Sequence, residues 1–136
     1  MLKVSIGFLA AMWRSLSPPW LVWVGLLVLV NSVIPLFYLS TVEARVILTA
    51  FLLAGLIMIL LFQAFGFVRL LGAGHLLAWT PAVAWLFTRL PAIEYDSTFG
   101  RWIIAVLVID VIALLIDAID VSRYAAGDRE PFPARI

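Results

Sequence analysis

Residues 46–62 read VILTAFLLAGLIMILLF and contain no charged side chain. The apolar residues are continuous and do not alternate with polar ones, so the pattern favours a helix over a strand of a membrane β-barrel. When the stretch is extended to the polar residues on either side, it predicts a helix over about residues 44–65. This length matches the ~20 residues that an α-helix needs to cross the hydrocarbon core of a bilayer.

Three other segments share this length and apolar character. They cover about residues 20–39, 72–90 and 101–124. Pro18 stands at the start of the first of them, where proline suits the first turn of a helix. Pro35 and Pro81 lie inside two of the segments and should kink them, because proline has no backbone N–H to donate. The connections are short, which predicts that sequential helices run antiparallel.

Composition supports the same interpretation. The chain has 136 residues, of which 65% are hydrophobic and 12% charged, and its mean hydropathy is +1.17. A soluble domain is typically about 45–50% apolar and about 25% charged. We therefore expect an all-α integral membrane protein: one domain over residues 1–136, forming an antiparallel bundle of four transmembrane helices with a polar tail over 125–136.

The first residues also show helical periodicity. Apolar side chains recur on one face at Leu2, Ile6, Leu9 and Trp13. Lys3 and Arg14 lie at the two ends of this segment, which suits a short helix lying in the membrane interface. A frayed N-terminal tail is the alternative.

The distribution of Lys and Arg predicts the orientation of the bundle. One end would hold Lys3, Arg14, Arg69, Arg123, Arg129 and Arg135. The other end would hold Arg45, Arg89 and Arg101. Because cytoplasmic ends of membrane proteins carry the excess of basic residues, we expect both termini to face the cytoplasm, in a bacterial inner (plasma) membrane.

Several classes of function are disfavoured by the residues themselves. The net charge of +1 offers no basic patch for a nucleic-acid partner. The chain has no cysteine and one histidine, His75, so a thiolate or two-histidine metal site cannot form within it. No catalytic motif stands out, and we expect no metal and no cofactor.

Polar side chains within the apolar segments are the candidate functional residues. They are Asn31, Gln63, Arg69, His75, Asp110, Asp117 and Asp120. A carboxylate at the bilayer centre costs roughly 2.5–3.5 kcal/mol, and the last helix carries three of them. At about 100° per residue the three aspartates fall within one stripe. That stripe should face the bundle interior or a partner chain.

Depth along the helices predicts which of these residues meet. Asn31 and Asp110 both lie near the midplane at a rise of about 1.5 Å per residue, so we expect them to approach each other. The other candidates fall near the inner boundary: Gln63, Arg69, His75, Asp117 and Asp120. There Arg69 should pair with Asp117 or Asp120. Small residues that allow helices to pack closely are Ala50, Ala54 and Gly55.

Three functions are compatible with this pattern. The first is association as a subunit, assembly factor or homo-oligomer, with the acidic stripe binding a partner helix. The second is a small transporter or proton-linked channel that uses Asp110. The third, and the least expected, is a lipid-modifying enzyme that uses the inner-boundary cluster. The expected partners are the lipid bilayer and either another membrane protein or a second copy of the chain.

Overall fold

A computed structural model describes residues 1–132, and all regular structure in that range is helical. The helices are α1 (Leu2–Ser15), α2 (Pro18–Val28), α3 (Val42–Phe65), α4 (Ala73–Arg89) and α5 (Thr98–Ala125). With their flanking turns they give four segments long and apolar enough to cross a membrane: Pro18–Tyr38, Val42–Phe65, Arg69–Ala92 and Thr98–Ala125. The predicted all-helical class with four such segments is confirmed. Arg135 and the last residues of the predicted tail lie outside the described range.

The segment after α2 changes its type of helix. A π-helical turn covers Leu29–Val33, and a 3-10 helix covers Ile34–Tyr38. In the π turn Ile34 donates its backbone N–H to Leu29, five residues back. With the same spacing of five residues, the next backbone donor would be residue 35, but Pro35 has no N–H. The sequence predicted a kink at Pro35, and the structure shows this change in hydrogen bonding there.

The carbonyl that Pro35 leaves free finds a partner on another helix. The Val30 carbonyl accepts a hydrogen bond of 2.9 Å from Trp102 Nε1 on α5. Both residues are buried, so the bond satisfies two polar groups that water does not reach. The π turn is thus held in place against α5.

Helices α3 and α4 approach closely through small residues. A Cβ added to Gly74 on α4 would lie 2.9 Å from the Ala54 carbonyl oxygen on α3, so only glycine fits without a shift. Ala50 and Ala54 are buried, as expected of a packing face. The prediction for Gly55 was wrong, because an added Cβ there meets nothing within 4 Å. In contrast to Pro35, Pro81 lies within an uninterrupted α4.

Helix α5 packs mainly against α4, residues 69–72 and the π turn. Its Ile103 and Val106 are fully buried, in an apolar cluster that includes Ile47 of α3 and Leu86 of α4. A second cluster surrounds Trp79. The opposite face of α5 is exposed at Val108, Ile112, Leu115 and Ile119. At about 100° per residue these four lie on the side of α5 opposite the stripe of aspartates.

The buried contact of helix α1 with the rest of the bundle is aromatic. Phe8 is the buried residue of this helix, and its ring lies 5.7 Å from that of Phe62 and 6.1 Å from that of Phe67. The helix itself was predicted, and the frayed tail is not what is observed. The apolar side chains used for that prediction remain exposed: Leu2, Ile6, Leu9 and Trp13.

Candidate functional site

Asn31 and Asp110 form a buried polar pair between the π turn and α5. Asn31 Nδ2 donates to Asp110 Oδ1 at 2.8 Å and to the Leu27 carbonyl at 3.1 Å. The two residues are only 1% and 3% exposed. The predicted approach of Asn31 to Asp110 is confirmed. No side chain among residues 1–132 donates to the other oxygen of Asp110.

A network of arginine and aspartate side chains lies at the C-terminal end of α5. Arg69 donates to Asp120 at 2.5 Å and to Asp128 at 3.1 Å. Arg123 donates to the same oxygen of Asp128 at 2.8 Å. The predicted pairing of Arg69 with Asp120 is confirmed. The part played by Asp128 was missed, because in the sequence it belongs to a polar tail.

A turn after α5 brings Asp128 back to this network. Gly127 has a φ of +115°, a conformation that favours glycine and commonly ends a helix. The chain then returns far enough for the Phe132 N–H to reach the Phe67 carbonyl at 2.9 Å. A glycine directly after the last apolar turn was the sequence signal for this fold-back.

His75 and Asp117 form a second polar pair next to the network. The distance from His75 Nδ1 to Asp117 Oδ2 is 2.8 Å, and the imidazole stacks on Trp79 at 4.1 Å between ring centroids. His75 Nε2 makes no hydrogen bond with any part of the chain that the structure describes. The tautomer that donates from Nδ1 to the carboxylate leaves Nε2 as a hydrogen-bond acceptor.

Gly72 allows this pair to form. An added Cβ at Gly72 would lie 2.9 Å from Asp117 Oδ1 and 3.2 Å from Asp117 Cα. The start of α4 therefore lies directly on α5, and any larger side chain would push Asp117 away from His75. The sequence Gly72-Ala73-Gly74-His75 is explained by two close approaches, one to α5 and one to α3. This role of the two glycines was not predicted from the sequence.

Gln63 is the predicted candidate that joins neither group. It is exposed on the last turns of α3 and makes no hydrogen bond with another described residue. At the other end of the bundle, an ion pair joins two residues absent from the predicted candidates. Arg89 donates to Glu43 at 3.1 Å, and its guanidinium lies 5.6 Å from the Trp85 ring centroid.

A cavity of about 670 Å³ opens beside the charged network, between α1, α2, the start of α4 and α5. Its polar lining consists mainly of Arg69, His75, Asp117, Asp120 and Arg123. Its apolar lining includes Met12, Trp20, Trp23, Val24, Leu27 and Ile116. The cavity is therefore apolar along most of its wall and charged on one side. Its volume lies within the range of about 300–1,000 Å³ typical of ligand pockets.

Comparisons with known proteins do not assign this site. No protein-family model, curated protein or solved structure matches the chain. Within residues 1–132, no group of three or more histidine and carboxylate side chains converges to hold a metal ion. The geometry of the site joins an apolar wall to hydrogen-bonding and charged groups.

Proposed function

We propose that this chain is an integral membrane protein whose four long segments cross the bilayer as an antiparallel bundle. Large apolar side chains on the outside support this, including Val22 at 73% and Phe37 at 80% exposed. Contiguous apolar surface of this kind is stable in acyl chains and unfavourable in water. The ion pair of Glu43 near the start of α3 with Arg89 at the end of α4 supports opposite directions for those helices.

The orientation follows from the basic residues. Arg69 and Arg123 share Asp128 as a partner, which supports counting them at one end. That end also receives Lys3 and Arg14 if α1 lies in the interface. We propose that this end, with both termini, faces the cytoplasm of a bacterial inner membrane.

The chain offers a simple test of topology. It contains no cysteine, so a single introduced thiol reports one position. Ser122→Cys should react with a membrane-impermeant maleimide only after the cytoplasmic face is exposed, whereas Ser40→Cys should react in intact cells. Labelling of both positions from the same side would contradict the orientation.

In the cavity, we propose, the protein binds one membrane phospholipid. The observation that carries this is the composition of the lining: α1 and α2 contribute mainly apolar residues, whereas the charged residues come from residues 69–75 and from α5. A phospholipid has the same division, with acyl chains next to a charged headgroup. Burial of an acyl chain contributes about 0.8 kcal/mol per CH₂ group, and the polar end fixes the orientation of the ligand.

The pairing of the aspartates within the chain bears on the functions predicted from the sequence. Asp110, Asp117 and Asp120 each have a partner within the chain, so the acidic stripe needs no second helix to satisfy it. Association as a subunit, and proton transport through Asp110, stay predictions of the sequence. The lipid-modifying enzyme would use the same cavity, and lipid binding is its first requirement.

Native mass spectrometry of the full chain, released from mild detergent, tests lipid binding. Val24 lines the cavity and Val22 on the same helix is exposed, so tryptophan at each position makes a matched pair. Val24→Trp fills the cavity and should lower the fraction of protein that retains one phospholipid. Val22→Trp should leave that fraction unchanged.

A second pair of tryptophan variants controls for misfolding. Ile116 lines the cavity and its neighbour Leu115 is exposed, so Ile116→Trp and Leu115→Trp repeat the comparison on α5. Helical content by circular dichroism identifies variants that fold. If folded Val24→Trp and Ile116→Trp both retain lipid like the wild type, or if the wild type retains none, the proposed function is wrong.

A further inference from the structure

We propose that the cavity selects a phospholipid whose headgroup carries a primary ammonium group, and that the ammonium group donates to Asp117. The inference rests on the proposed function, because it names the lipid class for the same cavity. It is carried by the pairing of the charged groups at the polar end of the cavity.

Within residues 1–132, the charged network leaves one carboxylate without a guanidinium partner. Asp120 and Asp128 are bonded to Arg69, and Asp128 also to Arg123. Among these residues Asp117 is bonded to His75 alone. Three carboxylates therefore face two guanidinium groups and one imidazole. Because a partly buried carboxylate is stabilised by a cationic partner, a cationic ligand group is favoured beside Asp117 and a purely anionic lipid is not.

Asp117 is placed where a ligand can reach it. His75 and Asp117 both line the cavity, with side chains 17% and 15% exposed. Oδ2 of Asp117 is bonded to His75, and no side chain among the described residues donates to its Oδ1. A primary ammonium group has three N–H donors and can bond this carboxylate. A trimethylammonium group has none, so a choline headgroup would gain the charge interaction only.

The phosphate of the same headgroup also has a partner. Arg123 lines the cavity, its side chain is 54% exposed, and one of its terminal nitrogens is bonded to Asp128. Its remaining N–H groups are available for a phosphate at the cavity rim. A zwitterionic headgroup thus matches the site with its cation near Asp117 and its anion near Arg123.

Competition between lipids with identical acyl chains tests this selection. The full chain in detergent is loaded with a labelled phosphatidylethanolamine, which is displaced by unlabelled phosphatidylethanolamine, phosphatidylcholine or phosphatidylglycerol. We expect phosphatidylethanolamine to compete at a concentration about 10-fold lower than either of the others, equivalent to about 1.4 kcal/mol. Asp117→Asn should reduce that preference to about 2-fold or less, since it removes the charge that favours the ammonium group.

Control variants separate the charge from its surroundings. Asp96→Asn makes the same chemical change at an exposed position between α4 and α5 and should keep the preference. His75→Gln keeps a hydrogen-bonding side chain next to Asp117 and should weaken the preference less than Asp117→Asn. If Asp117→Asn does not fold, His75→Gln and the lipid series on the wild type still decide the question.

Each other outcome overturns a defined part of the proposal. Absence of bound lipid refutes the proposed function itself. Lipid binding without a preference for the primary amine refutes this inference alone. A preference for phosphatidylcholine would indicate recognition by the aromatic faces of Trp20 and Trp23, and a preference for phosphatidylglycerol would indicate recognition by the arginines. Both contradict the inference.

Discussion

Replacing Asn31 by leucine removes both donors of the buried amide, one to Asp110 and one to the Leu27 carbonyl. The carboxyl of Asp110 is then left against an apolar side chain, and an unsatisfied buried polar group costs about 1–3 kcal/mol. We expect Asn31→Leu to lower the free energy of unfolding by about 2 kcal/mol. Asp110→Leu should cost about 1 kcal/mol, since Asn31 keeps its bond to Leu27.

The double variant Asn31→Leu/Asp110→Leu makes the test specific. Both members of the pair become apolar and neither is left unsatisfied, so the total loss should be about 1.5 kcal/mol. The sum of the single losses is about 3 kcal/mol, which gives a coupling of about 1.5 kcal/mol, within the range measured for polar pairs in membrane proteins.

Unfolding in mixtures of a mild detergent and dodecyl sulfate, followed by circular dichroism, measures these losses. Ser32→Ala is the matched control, because Ser32 lies in the same π turn and its hydroxyl donates only to the local Val28 carbonyl. It should change stability by no more than about 0.5 kcal/mol. If the double variant loses as much as the two single variants together, the pair does not interact and the placement of α5 against the π turn is wrong.

Gly74→Ala should destabilise the bundle by about 1–3 kcal/mol in the same assay, because its Cβ would press on the Ala54 carbonyl. Gly55→Ala, on open space, should stay within about 0.5 kcal/mol of the wild type, and equal losses at the two glycines would refute the described contact between α3 and α4. Trp102→Phe removes the donor to Val30 and should cost about 1–3 kcal/mol. Unchanged stability, with unchanged hydrogen exchange in the π turn, would contradict the role assigned to this bond.

The helices and the deep polar pair could be predicted because they depend on position along one axis. Continuous apolar stretches define the segments, and rise per residue places Asn31 and Asp110 at the same depth. A polar residue deep in an apolar segment has few polar partners to choose from. The pairing of Asn31 with Asp110 could be predicted because so few polar partners were possible.

The cavity and its wall could not be predicted, because they depend on how helices rotate and how closely they approach. The contact of Gly72 with Asp117 requires the start of α4 to lie directly on α5. The periodicity of apolar residues in the sequence does not predict how closely two helices approach. Asp128 enters the network through the turn at Gly127, which returns a polar segment to the bundle. In the sequence both features are short groups of glycine and polar residues, typical of ordinary connections.

Mapping of a photoactivatable phosphatidylethanolamine on the full chain shows whether the cavity holds a lipid. With a photoreactive group on its acyl chain, the lipid should label Trp23, Val24 and Ile116 in the cavity, and unlabelled lipid in excess should suppress this labelling. Labelling of the outer residues Leu115 and Ile119 should rise with lipid concentration and resist competition. If the cavity residues are unlabelled, or are labelled no more saturably than the outer face, the cavity does not hold a lipid.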